Sequence, residues 1–125
     1  MQRKPLPGAS QEPADDSERI ALTEADLAPG AHRGVKVGDD VYVLVTQWEG
    51  RYWAIDDSCN HAGCLLSEGC VNDGGHIVCP CHFAEFDVRT GALATSPRIC
   101  EDQAAYEVEV SEGKVWVDRR RLVPV

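Results

Sequence analysis

The 125-residue chain has no long apolar run. Nothing in it approaches the roughly 18 consecutive apolar residues that mark a membrane-crossing helix, so no anchor is expected. The start, Met1-Gln2-Arg3-Lys4-Pro5-Leu6-Pro7-Gly8, has charge but no apolar core behind it, unlike an export signal, and this points to a soluble cytoplasmic protein. Helix-favouring blocks are few and no internal repeat is visible. Positive charge is also scarce. The formal net charge of −9 divides into −1 for residues 1–17, +3 for Arg119-Arg120-Arg121 and −11 for the body between them. A body of that sign repels nucleic-acid phosphate and anionic lipid and suits a basic protein surface as partner. The same charge also serves solubility.

What remains reads as one domain by length, with an apolar fraction of 43% that is globular rather than disordered. Residues 1–17 are rich in Pro, Ser, Gln and charge, with Leu6 as their one large apolar residue, and read as a disordered extension. The ordered domain is expected over residues 18–121, followed by a tail at 122–125. Thr23-Glu24-Ala25-Asp26-Leu27 predicts a short helical turn capped by Thr23 and ended by Pro29-Gly30. Residues 32–37 alternate toward Val35 and Val37, Asp39-Asp40 reads as a turn, and Val41-Tyr42-Val43-Leu44-Val45 reads as a strand. Trp48-Glu49-Gly50-Arg51-Tyr52-Trp53 predicts a hairpin, and a second is expected with arms over residues 106–110 and 114–118 around Glu112-Gly113. Such alternation belongs to half-buried antiparallel strands.

Residues 56–100 differ, because this loop-rich stretch holds all six cysteines, at positions 59, 64, 70, 79, 81 and 100. Two histidines are interleaved, giving Cys59-Asn60-His61 and Cys79-Pro80-Cys81-His82, with 17 residues between His61 and Cys79. Without an export signal, such a pattern favours metal over a disulfide framework. One candidate is a structural zinc with two thiolates and two imidazoles, for which a Cys-x-His pair is tightly spaced. The other is a two-iron cluster to which each loop gives one ligand per iron, a spacing that both fragments fit.

Cys-x-His followed by Cys-Pro-x-His resembles the Rieske motif. Gly63 and Leu65-Leu66-Ser67 after the first pair, Phe86-Asp87 and Thr90-Gly91 after the second, and Ser96-Pro97 in a third loop extend the resemblance over about residues 18–118. It implies an all-β fold of three stacked antiparallel sheets, with a loop-built cluster-binding subdomain over about residues 56–100. It implies one 2Fe-2S cluster, with Cys59 and Cys79 on the inner iron and His61 and His82 on the outer. Leu65, Leu66, Phe86 and Pro97 are expected to shield the cluster from water.

Within this family, oxygenase subunits need a longer catalytic domain, and membrane-complex subunits need an anchor. The resemblance therefore narrows to the small ferredoxin of ring-hydroxylating dioxygenase systems. That is a one-electron carrier rather than an enzyme, placed between a flavin-dependent reductase and a terminal oxygenase. A small subunit of another reductase, of the nitrite-reductase kind, and a zinc-stabilised binding module are the alternatives. Cys64 and Cys81 stand where respiratory Rieske proteins carry a disulfide, and a bridge is expected there. Cys70 and Cys100 are expected to pack as small apolar residues. Ala84 and Phe86 replace the Ser and Tyr whose hydroxyls stabilise the reduced cluster in high-potential members, so a low potential is expected. It should fall as pH rises through the imidazole range. Phe83 stands where glycine is usual in that comparison.

Overall fold

Among the described residues, ten strands in three antiparallel sheets account for the period-two alternation of the sequence. The computed structural model describes residues 19–37, 41–60, 64–81, 83–95, 100–118 and 121. The N-terminal extension, the Asp39-Asp40 turn and the 122–125 tail expected from the sequence lie outside these residues.

The first sheet is built from β1 (Arg19–Glu24), β9 (Val108–Ser111) and β10 (Lys114–Asp118), in the order β1-β10-β9. The second holds β2 (His32–Val37), β3 (Val41–Trp48), β4 (Arg51–Asp56) and the short β8 (Ala105–Tyr106), in the order β2-β3-β4-β8. The third is β5 (Cys70–Val71), β6 (His76–Val78) and β7 (Glu85–Asp87) in sequence order.

Alternation along β3 and β4 places the central sheet between two cores. Val43, Val45 and Ala54 pack with Leu22, Tyr106, Val115 and Val117. Leu44 and Ile55 belong to the other core, with Cys59, Leu66, Ile77, Cys79, Ala84, Phe86 and Val88. Neighbouring side chains of one strand point to opposite faces, so a strand buried on both faces reads as the continuous apolar run seen at 43–45. The first core supports the frame, and the second lies beneath the cysteine-bearing loops.

Both expected hairpins form. Glu49 and Gly50 have φ of 58° and 78°, and Glu112 and Gly113 have 55° and 73°, the left-handed pairs that tight two-residue turns require. The indoles lock these turns: Trp53 Nε1 donates to the carbonyl of Trp48 and Trp116 Nε1 to that of Ser111. The second hairpin is shorter than expected, because Tyr106 pairs with Ala54 of β4 and only the chain from Val108 onward pairs with β10.

The helical turn expected at residues 23–27 is absent. Thr23 and Glu24 end β1, opposite Val115 and Lys114, and Ala25 N–H donates to the carbonyl of Gly113. Five residues provide too little helix to offset nucleation, whereas a strand partner satisfies the same backbone groups. Cys70 also departs from expectation. It lies exposed on β5, while Cys100 packs half-buried against the second core as expected.

Candidate cluster-binding site

Two loops of like construction rise from the second core. The first follows β4. Asp57 is fully buried, and its carboxylate accepts Ser67 N–H and Ser67 Oγ–H, both at 2.6 Å. Its carbonyl accepts Leu66 N–H, Ser58 bridges to Leu65, and Cys59 N–H donates to the carbonyl of Cys64 at 2.8 Å. These rungs close the base of the loop over a 3₁₀ turn at Leu66–Glu68. The second loop extends the β6–β7 hairpin. Cys79 N–H donates to the carbonyl of Ala84 at 2.8 Å, and Phe83 N–H donates back to that of Cys79. In each loop a cysteine N–H reaches the carbonyl five residues ahead, so the two segments present Cys59 and Cys79 in the same local setting.

The side chains follow suit. Cys59 is 2% exposed and Cys79 is 0%, both in the same apolar core. A disulfide joins Cys64 to Cys81, with Cα atoms 6.4 Å apart, so the loops are linked beside the two buried thiols. His61 and His82 lie outside the described residues, as does Pro97. Leu66 and Phe86 are fully buried in the core that holds both cysteines, whereas Leu65 is half-buried at the loop base.

Among the described residues no group of three or more His, Cys, Asp or Glu forms a ready metal site. The donor chemistry fits an iron–sulfur group all the same. Two soft thiol donors lie in one apolar core, and the buried carboxylate of the first loop, Asp57, is committed to Ser67.

The backbone at Phe83 accounts for the glycine usual at this position, and nothing in the structure explains the phenylalanine. Its φ of 64° lies in the left-handed region, where a side chain crowds the following carbonyl, and its ring is 73% exposed. Glycine adopts this turn without that cost. Phe83→Gly is accordingly expected to be more stable than Phe83→Ala by about 1 kcal/mol. Equal unfolding midpoints for the two variants would show that the turn carries no such strain.

Further along, Asp87 and Gly91 shape the turn after β7. Gly91 N–H donates to the Asp87 carbonyl, and the Asp87 carboxylate takes two bonds of 2.9 Å from the Arg89 guanidinium. Burial alone would raise the Asp87 carboxyl. The hydrogen bonds and charge of Arg89 outweigh it and hold the group below the usual carboxylate range. Asp56, which leads into the first loop, is pushed up by burial, against the hydrogen bond it accepts from Tyr106. Burial, then Asp56 itself, raises the Tyr106 hydroxyl.

Four residues that order this site did not stand out in the sequence as parts of it: Asp57, Asn60, Gln103 and Arg89. Asn60 and Asp57 lie beside Cys59, but Gln103 is 43 residues from Asn60, and no spacing rule links them.

A family model described as the Rieske [2Fe-2S] domain matches residues 18–116. Ferredoxin CarAc of Metapseudomonas resinovorans is 38% identical, over 74% of this chain and 85% of its own. The 3-phenylpropionate/cinnamic acid dioxygenase ferredoxin subunit of Photorhabdus laumondii is 30% identical, over 81% of this chain and 93% of its own. Among solved structures, the complex of reduced oxygenase and oxidized ferredoxin in carbazole 1,9a-dioxygenase contains a chain of TM-score 0.73 and 34% identity. That alignment covers 83% of this chain and 95% of the matched one. With three antiparallel sheets and two cysteine loops over a shared core, the chain belongs to the Rieske [2Fe-2S] domain family, and its cofactor is one 2Fe-2S cluster rather than zinc.

Proposed function

We propose that this protein is the ferredoxin component of an aromatic-ring dioxygenase system. In this reading it accepts one electron at a time from a flavin-dependent reductase in the cytoplasm and passes it to a terminal oxygenase. The observation that carries the reading is the match along 85–95% of the length of ferredoxin components.

Cys59, His61, Cys79 and His82 would hold the cluster, which supplies a one-electron couple when bound. The chain's own part is to keep the thiol pair dry and the two loops fixed. Leu44, Ile55, Leu66, Ile77 and Phe86 do the first, and the loop rungs and the Cys64–Cys81 bridge do the second. Ala84 and Phe86 are both fully buried and bring no hydroxyl to the second loop. A cluster with fewer donors to its sulfurs favours the oxidised state, which supports a midpoint toward the lower end of the Rieske range, about −150 mV. The acidic body supports partners with basic docking surfaces, so association should weaken as salt rises.

The test begins with anaerobic cluster assembly, iron and sulfide analysis, and voltammetry. Stopped-flow mixing of the reduced protein with a panel of purified aromatic-ring terminal oxygenases follows. The expected result is a low midpoint and rapid one-electron oxidation by at least one oxygenase. A high positive midpoint, or a reduced protein that none of the oxygenases reoxidises, would count against this role.

A further inference from the structure

Gln103 is a buried amide at the meeting point of three chain segments. It is 4% exposed, and both ends of its side chain are fully engaged. Nε2 donates to the carbonyls of Asp56 at 2.9 Å and Ser58 at 2.8 Å. Oε1 accepts the backbone N–H of Asn60 at 3.0 Å and also the Asn60 side-chain amide. A primary amide has two donors and two acceptor lone pairs, and here all four serve the first loop. Asn60 answers in kind: its Nδ2 donates to the carbonyl of Glu101 at 2.7 Å, and its Oδ1 accepts Glu101 N–H at 3.0 Å. That pairing copies one rung of a β-ladder with a side chain in place of a strand.

The third segment enters through the backbone. Gln103 N–H donates to the carbonyl of Gly91 at 2.8 Å. Gly91 has φ of 78°, and a Cβ there would run into the Gln103 backbone. The turn after β7, the segment at 100–104 and the first loop are therefore drawn onto one residue.

We infer that Gln103 and Asn60 form an amide clasp that positions the first loop at Cys59 before and after the cluster binds. The inference rests on the proposed role of Cys59 and His61 as ligands. Asn60 is the residue between them, and the clasp fixes its N–H and its side chain together. Two residues outside the ligand set thus become positioning residues for cluster retention and electronic structure.

The test uses the full chain carrying its cluster, with Gln103→Leu, Asn60→Ala and the double variant. Cluster release is followed by loss of visible absorbance at a temperature where circular dichroism shows every variant folded. EPR of the reduced protein and hydrogen exchange at the Cys59 and Asn60 amides are read in parallel. Gln103→Leu is expected to release the cluster about tenfold faster, broaden the EPR lines and expose both amides. The double variant should be little worse than either single one, because the two amides act as a unit. Asn60 has an exposed side chain, so Asn60→Ala keeps the test decisive if Gln103→Leu does not fold. Lower thermal stability with unchanged release and EPR would overturn the clasp and leave a merely structural amide. If the wild-type chain takes up iron without sulfide, the ligand reading itself fails, which is a separate outcome.

Discussion

Cys79→Ser is expected to leave a folded chain with no Rieske EPR signal and no acid-labile sulfide. The loop around position 79 is set by backbone bonds, from Cys79 N–H to Ala84 and from Phe83 N–H back to Cys79, and a serine retains both. What changes is the donor. A thiolate is a soft ligand suited to iron–sulfur chemistry, whereas a serine hydroxyl is hard and far less acidic. The hydroxyl must also sit in a pocket where Cys79 is fully buried beside Ile77 and Phe86. Desolvating it costs about 1–3 kcal/mol, so the metal-free variant should melt at a lower temperature while remaining folded. Cys70→Ser is the control, because Cys70 is exposed on β5 and its loss should leave iron and sulfide unchanged. A full cluster signal in Cys79→Ser would remove Cys79 from the ligand set.

Opening the Cys64–Cys81 bridge has the next largest expected effect. The bridge closes a loop of sequence separation 17, for which the lost chain entropy of the unfolded state is worth about 3 kcal/mol. Against the 5–15 kcal/mol typical of whole domains this is a large share, and it corresponds to a fall in Tm of roughly 10–20 °C. The Cys64→Ser/Cys81→Ser variant should show it, and so should the wild-type chain melted with a strong dithiol. The loops should also loosen locally, since the Cys64 carbonyl is the acceptor for Cys59 N–H, and cluster release should quicken with the fall in stability. Alkylation without reductant, followed by mass spectrometry, gives the bridge's occupancy. Complete labelling of both cysteines, together with a melting curve indifferent to reductant, would remove the bridge from the energetics of this fold.

Strand content and the two tight hairpins were legible in the sequence, because a period of two and a left-handed turn pair are local properties. Trp48-Glu49-Gly50-Arg51-Tyr52-Trp53 specifies its own turn and needs no distant partner. The Thr23–Leu27 segment misled for the opposite reason. Its capping pattern is local, but its backbone is satisfied by distant partners: β10 for Thr23 and Glu24, the Gly113 carbonyl for Ala25 and the Tyr52 hydroxyl for Leu27. Residue type places Cys70 inside, yet it lies exposed on the edge strand β5.

The sequence by itself determined the chemistry: two Cys-His fragments at cluster spacing, and a chain whose motifs mark it as a member of the Rieske family. Tertiary structure decided what holds that chemistry in place. The shared core beneath Cys59 and Cys79 and the reach of Gln103 to Asn60 across 43 residues depend on non-local packing. Ligand identity is carried by residue type and spacing, which a sequence displays. Ligand position is carried by hydrogen bonds between segments that meet only once the sheets have assembled.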